Sequence, residues 1–374
     1  MCRPSWPKWT APLWAVVYLR VAAAKDIQFK LGGAIALSGS QSNDGMQCQM
    51  GWTLWASRFN ELGGVTLSNG DRVTVKMPLD LRDDGSNKAN SMELLRGMLN
   101  VTSPEYADLD FVIGPFTSGL TQGNALVAKE FKKIIFSHGA SESLYNRNNT
   151  YIFSALTPGG NYMSSGLELL WRKGVKTVAF MFEIKSFSRS VCSGGMAKAE
   201  ELGYQVAGVF DYLPTETNFA GIVSEMKVFD PDVIVACGHF DDIYYLVGQM
   251  VLLEVNPRAF LVTHAADSRV IKQNGPKALD TMSPTQWDRG MVASDTDGFF
   301  GNAQDFYKLF FETYAAEPAY QAAYAGAMGY SLGKAIELAD AIDTEKVREA
   351  LYAMEIDSFY GVINYSDAGD PSGL

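Results

Sequence analysis

Apolar runs alternate with helix-like segments along this 374-residue chain, and no other feature restricts its fold as strongly. The first half shows a regular order of predicted strands and helices: strand 27–38, helix 44–64, strand 71–84, helix 87–99, strand 110–114, helix 121–131 and strand 133–137. Strands separated by helical segments of about 10–15 residues indicate βαβ units and a parallel sheet. The chain is therefore predicted to belong to the α/β class.

The second half repeats this order: strand 177–182, helix 188–203, strand 204–212, helix 219–229, strand 232–238, helix 241–254 and strand 259–264. We expect two α/β blocks, with the first boundary near residues 146–153. Two long helical patterns and a short strand-like segment, 361–366, follow residue 298. Because ligands bind beyond the carboxyl ends of strands in open α/β sheets, two facing sheets would form a clamshell with its site between the strand tips.

Composition excludes one class of partner. Hydrophobic residues make up 47% of the chain and charged residues 20%, as in ordinary folded proteins. The net charge is −11 and no long basic run occurs, which argues against a nucleic-acid partner.

The N-terminus has the pattern of a secretory signal. Arg3 and Lys8 precede an apolar stretch, residues 11–19, and small residues follow at 21–24. We predict a cleaved signal peptide over 1–24 and a secreted, extracellular protein, with an uncleaved anchor as the alternative. Export also makes three Asn-x-Ser/Thr triplets candidates for glycosylation, although such triplets arise often by chance: Asn100, Asn148 and Asn364.

Removal of a signal would take Cys2 with it and leave Cys48, Cys192 and Cys237. At most two of these can pair within the chain, so disulfides are not the scaffold. Cys192 and Cys237 could form a bridge or remain buried thiols, and the sequence leaves both open. No Cys-x-x-Cys pair is present, so no cysteine zinc site is expected, and we predict neither a metal nor a cofactor.

Motifs for catalysis are poorly supported. The chain has neither a glycine-rich phosphate loop nor a His-Glu-x-x-His zinc motif. Residues 329–333, GYSLG, match the esterase pattern Gly-x-Ser-x-Gly, but a nucleophile elbow needs a strand before the serine and a histidine later in the chain. The surrounding sequence predicts one continuous helix, and the last histidine is His264. We therefore expect no catalytic residues, Ser331 included.

The three histidines all follow predicted strands: His138, His239 and His264. Neutral imidazoles at strand ends can bond a ligand or bind a metal, for which Asp241, Asp242 and Asp267 could supply carboxylates. The alternative is three ordinary histidines at the edges of loops.

Small and hydroxylated residues follow two neighbouring predicted strands of the first half. They are Thr117, Ser118, Gly139 and Ser141. Hydroxyls and main-chain polar groups suit a carboxylate or another small polar group, and they include no nucleophile–base pair. Turn chemistry alone would also explain Gly and Ser here. Aromatic side chains near the tips could wall a cleft or simply pack: Phe116, Phe187 and Phe240.

Several segments, taken in order, resemble the type I periplasmic binding-protein fold and most closely its leucine/isoleucine/valine-binding branch. Residues 35–65 are similar to that family's first strand tip, glycine turn and long helix, which ends in Asn-Glu-Leu-Gly-Gly-Val. Residues 112–143 are similar to its pair of ligand loops, and residues 229–250 and 361–370 also fit. The resemblance runs from about residue 27 to residue 369 and extends to the ligand-binding regions of receptors.

The resemblance implies a set of ligand-binding positions. In amino-acid-binding members, the ligand carboxylate meets a hydroxyl after the third strand and groups after the next one, here Ser118, Gly139 and Ser141. The other lobe would contribute Phe187 and a residue near His239 or Phe240. The position where such members place an acid for the ligand ammonium is His264, with Asp267 three residues later. The sequence therefore matches the family better at the positions that bind a ligand carboxylate than at the position that binds the ammonium group.

The resemblance also implies two Rossmann-like lobes with parallel sheets, joined by a hinge of three chain crossings. Lobe 1 would comprise residues 25–152 and 290–358, and lobe 2 residues 153–289 and 359–374. The family adds at least one further strand after this point, so the C-terminus is expected to be truncated.

Two functions follow from the resemblance. The first is a secreted solute-binding protein that closes on a small polar ligand, such as an amino acid, a carboxylate or an amide, and works with a membrane transporter. The alternative is the ectodomain of a cyclase-, kinase- or G-protein-coupled-type receptor, membrane-attached through a segment beyond residue 374, with a signalling partner. A homodimer is left open in both. A hydrolase using His264 or Ser331 is the third, disfavoured interpretation.

Overall fold

The structure, a computed structural model, describes residues 24–100, 108–145, 149–265, 272, 275 and 281–365. Its strands, in chain order, are β1 Asp26–Phe29, β2 Leu31–Ile35, β3 Val65–Thr66, β4 Arg72–Val75, β5 Asp80–Asp83, β6 Phe111–Phe116, β7 Ile135–His138, β8 Ile152–Phe153, β9 Thr177–Glu183, β10 Gln205–Tyr212, β11 Val233–Cys237, β12 Ala259–Val262, β13 Thr281–Met282, β14 Glu355–Ser358 and β15 Gly361–Asn364.

The helices lie between these strands and after them. They are α1 Ser42–Glu61, α2 Lys88–Leu99, α3 Ser118–Glu130, α4 Ser164–Arg172, α5 Ser186–Leu202, α6 Ala220–Phe229, α7 Phe240–Leu252, α8 Ala303–Tyr314, α9 Tyr320–Ala339 and α10 Thr344–Ala353. Within the described ranges, none of them combines the length and apolar character needed to cross a bilayer.

Two five-stranded parallel sheets organise the molecule, one in each lobe. The first has the order β5-β2-β6-β7-β8 and the second the order β10-β9-β11-β12-β13. Strands β2, β6, β7 and β11 are buried at every position. Burial along the whole strand is expected when helices cover both faces of a parallel sheet. The predicted α/β fold with two lobes is confirmed.

Two predicted strands are each divided into two. Residues 27–38 form β1 and β2, which lie in different sheets, because β1 pairs with β4 whereas β2 pairs with β5 and β6. Residues 71–84 likewise form β4 and β5, separated at Pro78. Proline has no main-chain N–H to continue a ladder, so a strand is interrupted there.

The long helical region after residue 298 forms three helices rather than two. Helix α9 packs along α1 so closely that a side chain on Gly51 would collide with the carbonyl group of Ala322. Trp52 and Trp55 of α1 are fully buried, and the Trp52 ring lies 5.7 Å from that of Phe136 in β7. This contact places the C-terminal helices against the first sheet.

The segment predicted to return to lobe 2, residues 359–374, is described only to Tyr365. Strand β15 forms an antiparallel hairpin with β14, and the Tyr365 ring lies 5.3 Å from that of Phe153. Phe359 stacks on Phe306 of α8 at 4.2 Å. The lobe boundaries named above remain a prediction.

The predicted glycosylation sites differ in their surroundings. Asn100 is exposed and follows α2, whereas the amide of Asn364 donates to Glu355 Oε2 at 2.7 Å within the hairpin. Asn148 and residues 1–23, which cover almost all of the predicted signal peptide, lie outside the described residues.

Cys192 and Cys237 form a disulfide, which resolves the alternative that the sequence left open. The bridge joins α5 to the end of β11 and closes a chain separation of 45 residues, while Cys48 stays a buried free thiol. A cross-link of this span restricts the unfolded chain and stabilises the fold.

We expect the Cys192→Ala, Cys237→Ala double variant to lose about 2–4 kcal/mol of unfolding free energy, measured by urea denaturation. Cys48→Ala is the control, because it removes a buried thiol without a cross-link. Alkylation of both Cys192 and Cys237 in the unreduced, denatured protein would show that the bridge does not form.

Candidate functional site

The carboxyl ends of the two sheets enclose a small space, here called the inner chamber. Its volume is about 20 Å³, close to that of one water molecule. Its lining comes from both lobes: Phe116, Thr117, Ser118, His138, Ala140, Leu156, Tyr162, Phe187, His239, His264 and Tyr320.

Five of the predicted ligand-binding residues line the inner chamber: Thr117, Ser118, Phe187, His239 and His264. Gly139 and Ser141 alternate with the lining residues His138 and Ala140 but are not themselves part of the lining. Phe240 lies apart from it, in a pocket of about 60 Å³ beside Lys185 and Asp242. The structure therefore brings together the groups of both lobes and separates Phe240 from them.

Two strand-tip loops of the first lobe are bonded to each other. The Ser141 main-chain N–H donates to Ser118 Oγ at 3.0 Å, and the Gly139 N–H donates to Ser137 Oγ at 3.0 Å. Gly139 lies so close to α3 that an added Cβ would be 2.8 Å from the Ser118 Cα. The sequence suggested free main-chain N–H groups here, but the structure uses these two internally and leaves the Ser118 hydroxyl proton as a donor.

Thr117 has an unusual backbone. Its φ is +76°, a conformation that is a clear outlier for a β-branched residue. The positive φ angles of Asp230, Ala315 and Asp340, by contrast, occur at helix C-termini, where they are ordinary. Thr117 instead begins a helix, with its Oγ1 accepting from the Leu120 N–H at 3.4 Å. Backbone strain of this kind is concentrated at functional sites.

Three helix N-termini converge on the inner chamber. Helix α3 begins at Ser118, α5 begins one residue before Phe187, and α7 begins directly after His239. The first N–H groups of a helix have no partner within it, and the helix dipole is positive at that end. The first turns of α3 and α5 contain no acidic residue, so these two ends favour an anion, whereas Asp241 and Asp242 in the first turn of α7 offset its dipole.

His138 lines the chamber, but its ring is held by bonds within the protein. Its Nδ1 bonds the Gly114 carbonyl at 2.8 Å, and its Nε2 accepts from the Trp52 indole N–H at 3.0 Å. Burial lowers the pKa of His138 to about 4, so the ring is neutral at physiological pH. Both ring nitrogens are occupied, which leaves this histidine no free atom for a ligand.

His239 belongs to a buried polar cluster in the second lobe. Its Nδ1 lies 2.5 Å from Glu183 Oε2, and its main-chain N–H donates to Asp242 Oδ2 at 2.9 Å. The second oxygen of Glu183 is 2.5 Å from Lys185 Nζ. The sequence did not point to Glu183, because a single acid at the end of an apolar strand has no motif around it.

The pKa values of the two carboxyls of this cluster are shifted in opposite directions. Burial raises the pKa of Glu183, but bonds from His239 and Lys185 outweigh it, so the pKa is lowered overall. Burial, together with the charge of Glu183, raises the pKa of Asp242 to about 6.

Among the described residues, Glu183, His239 and Asp242 form a group whose ligand atoms lie within 4.8 Å of one another, as a metal site would require. However, the ammonium of Lys185 and the imidazole of His239 already compensate Glu183. Of the carboxylates considered with the histidines, Asp242 belongs to this group and Asp267 lies outside the described residues.

Aromatic rings wall the chamber on the second-lobe side. Phe187 lies 5.3 Å from His239, 6.1 Å from His264 and 5.6 Å from Tyr162. His264 in turn lies 6.3 Å from Tyr320 of α9. Tyr162 and Tyr320 were not predicted, since neither follows a strand of the sheets. A larger outer cavity of about 800 Å³ shares Tyr162, Phe187, His264 and Tyr320 with the chamber.

A family profile described as periplasmic binding protein matches residues 28–371. The chain belongs to the periplasmic binding protein family. Similar solved structures include a leucine-binding protein from Thermotoga maritima, with a TM-score of 0.77 and 22% identity over 91% of this chain and 92% of that one. A branched-chain amino acid transporter substrate-binding protein from Streptococcus pneumoniae, in complex with isoleucine, gives 0.75 and 18% over 92% and 93%.

A third similar structure is a solute-binding protein of an ABC transporter from Rhodopseudomonas palustris, in complex with 3,4-dihydroxybenzoic acid. It has a TM-score of 0.75 and 15% identity over 92% of this chain and 90% of that one. The predicted resemblance to the leucine-binding branch of type I periplasmic binding proteins is confirmed at the level of family and fold.

Ser331 of this periplasmic binding protein lies in the middle of α9, as the sequence predicted. The residue is fully buried, and its Oγ bonds the Tyr365 hydroxyl at 3.0 Å. The match to Gly-x-Ser-x-Gly is therefore helical and not a strand–turn–helix elbow.

We expect Asp242→Asn to change how stability depends on pH. In wild type the folded pKa of about 6 exceeds the model-peptide value of 3.8, so the folded state holds the proton longer and stability falls as pH rises from about 4 to 6. Asparagine can still cap α7 but does not ionise. Relative to wild type, the variant should gain on the order of 2 kcal/mol between pH 4 and pH 7, measured by urea unfolding.

The matched control is Asp241→Asn, in the same helical turn but exposed. Its pH dependence should follow that of wild type, because solvent screens an exposed carboxylate. Parallel pH curves for wild type and Asp242→Asn would contradict the buried, charge-coupled environment described for Asp242.

Proposed function

We propose that this protein is a secreted solute-binding protein that closes its two lobes around a small carboxylate. The observation that carries the proposal is the convergence of the N-termini of α3 and α5 on a chamber with no Asp or Glu among its described lining residues. Such a site attracts an anion and offers the ligand hydroxyl and imidazole partners. The Ser118 hydroxyl, at the start of α3, is the proposed carboxylate donor of the first lobe.

The lining favours an aromatic or other planar carboxylate over an α-amino acid. An ammonium group would need a carboxylate partner, but the corresponding position holds His264, and the buried Glu183 beside His239 is compensated by His239 and Lys185. The aromatic side chains of the lining can pack against the flat ring of an aromatic carboxylate, while its polar groups meet the polar side chains at either end. The Rhodopseudomonas palustris protein, which holds 3,4-dihydroxybenzoic acid, supports this choice.

Binding requires the lobes to move apart. The inner chamber, at about 20 Å³, is far smaller than a small-molecule pocket of about 300–1,000 Å³. The outer cavity reaches the same four aromatic and imidazole side chains and provides a route of entry. Hinge closure would then exclude water and strengthen the few polar contacts. A membrane transporter is the proposed partner, as the names of two of the similar structures suggest.

We expect 3,4-dihydroxybenzoate to raise the melting temperature of the wild-type protein more than isoleucine does at equal concentration. A ligand at 100 times its Kd stabilises a protein by about 2.7 kcal/mol. The Ser118→Ala variant should lose most of that ligand-induced shift, measured by differential scanning fluorimetry.

The control is Ser143→Ala, since Ser143 bonds the Ser141 hydroxyl at 2.9 Å but does not line the chamber. An undiminished shift in Ser118→Ala would mean that the pocket lies elsewhere. A larger shift with isoleucine than with 3,4-dihydroxybenzoate would favour an amino-acid ligand instead.

A further inference from the structure

Glu183 is a buried carboxylate whose position needs an explanation. It ends β9, and its side chain is 0% exposed. A charge removed from water is tolerated only when partners compensate it. Lys185, which is 38% exposed, could meet one oxygen of Glu183 from the surface, but the other oxygen is turned inward to His239.

The contact with Glu183 determines which nitrogen of His239 carries the proton. A carboxylate only accepts hydrogen bonds, so Nδ1, at 2.5 Å from Glu183 Oε2, must be the N–H nitrogen. Ser188 Oγ, 3.3 Å from the same oxygen, and the bond from the His239 main chain to Asp242 further fix the arrangement. The ring tautomer and position are therefore determined before a ligand arrives.

Nε2 is then the atom through which the His239 ring can bond a ligand in the chamber. In the neutral ring with Nδ1–H, this nitrogen carries a lone pair and accepts from an O–H or N–H group. The other titratable groups around the ring are Glu183 and Lys185, Asp241 and Asp242 on its own helix, Asp44 of α1, and His264, whose ring stacks on it at 6.4 Å.

We propose that Glu183 is a positioning residue that holds the His239 proton on Nδ1 and thereby makes the second lobe select carboxylates with an O–H or N–H donor at their far end. The selection rests on the proposed carboxylate-binding function, whereas the tautomer does not. The first lobe would hold the carboxylate at Ser118, and the donor would meet His239 Nε2.

The tautomer is tested first, without ligand, in the full protein labelled with ¹⁵N-histidine at pH 8, above the ordinary titration range of histidine. Long-range ¹H–¹⁵N correlation spectra should show the His239 proton on Nδ1 in wild type and in Lys185→Met. Glu183→Met, which is nearly isosteric, should populate the Nε2–H form. A wild-type His239 with its proton on Nε2 would overturn the assignment.

Selectivity is tested by calorimetric titration with 4-aminobenzoate, whose amino group donates hydrogen bonds but accepts them poorly, and with benzoate, which lacks that donor. One additional hydrogen bond should make wild type prefer 4-aminobenzoate over benzoate by about threefold to tenfold. Glu183→Met should reduce this ratio to near unity, while Lys185→Met, which removes the other partner of Glu183, should keep it. A merely structural role would weaken both ligands equally and leave the ratio unchanged, which would overturn the selection.

The two parts of the experiment separate two failures. Suppose that neither ligand of the calorimetric titration binds wild type, although His239 carries its proton on Nδ1. The proposed class of ligand is then wrong, and the proposed selection fails with it. If both benzoates bind but the proton lies on Nε2, the carboxylate function stands and the role of Glu183 is overturned.

Discussion

The packing of α9 along α1 is the contact that returns the C-terminal helices to the first sheet. Gly51 allows the α9 main chain to approach α1 at Ala322, and Gly329 similarly leaves room for the ring of Trp55. This close approach anchors the C-terminal helices on the first sheet after the chain has built the second one. As a result, Tyr320, at the first position of α9, reaches the chamber between the strand tips.

The chemistry of the chamber follows from parallel topology. Every strand of a parallel sheet ends at the same edge, and the next helix begins there, so helix N-termini gather where the two sheets face each other. Ser118, Phe187 and His239 lie at such starts. The helix dipoles place partial positive charge beside a described lining without Lys or Arg, and the buried charge of Glu183 is compensated by His239 and Lys185.

Much of the fold and part of the candidate site could be predicted. The alternation of apolar runs and helical segments indicates βαβ units, because parallel strands that are buried on both faces are almost continuously apolar in sequence. Thr117, Ser118, His239 and His264 were predicted because they lie at the ends of strands, and Phe187 because of the resemblance to the family. The division of residues 27–38 between two sheets was missed, because an apolar run does not specify the strand with which each of its halves pairs. Glu183 was missed because its importance comes from His239, 56 residues away.

The sequence by itself determined the α/β class, the parallel sheets and the strand tips as the place of the candidate site, because all three follow from local periodicity and chain direction. Only the tertiary structure decided that Cys192 meets Cys237, that Tyr162 and Tyr320 complete the chamber, and that Phe240 faces another pocket. It also distinguished His138, with both nitrogens bonded internally, from His239, which has one held by Glu183. These are contacts between distant segments, and no local pattern specifies which distant side chains will share a buried space.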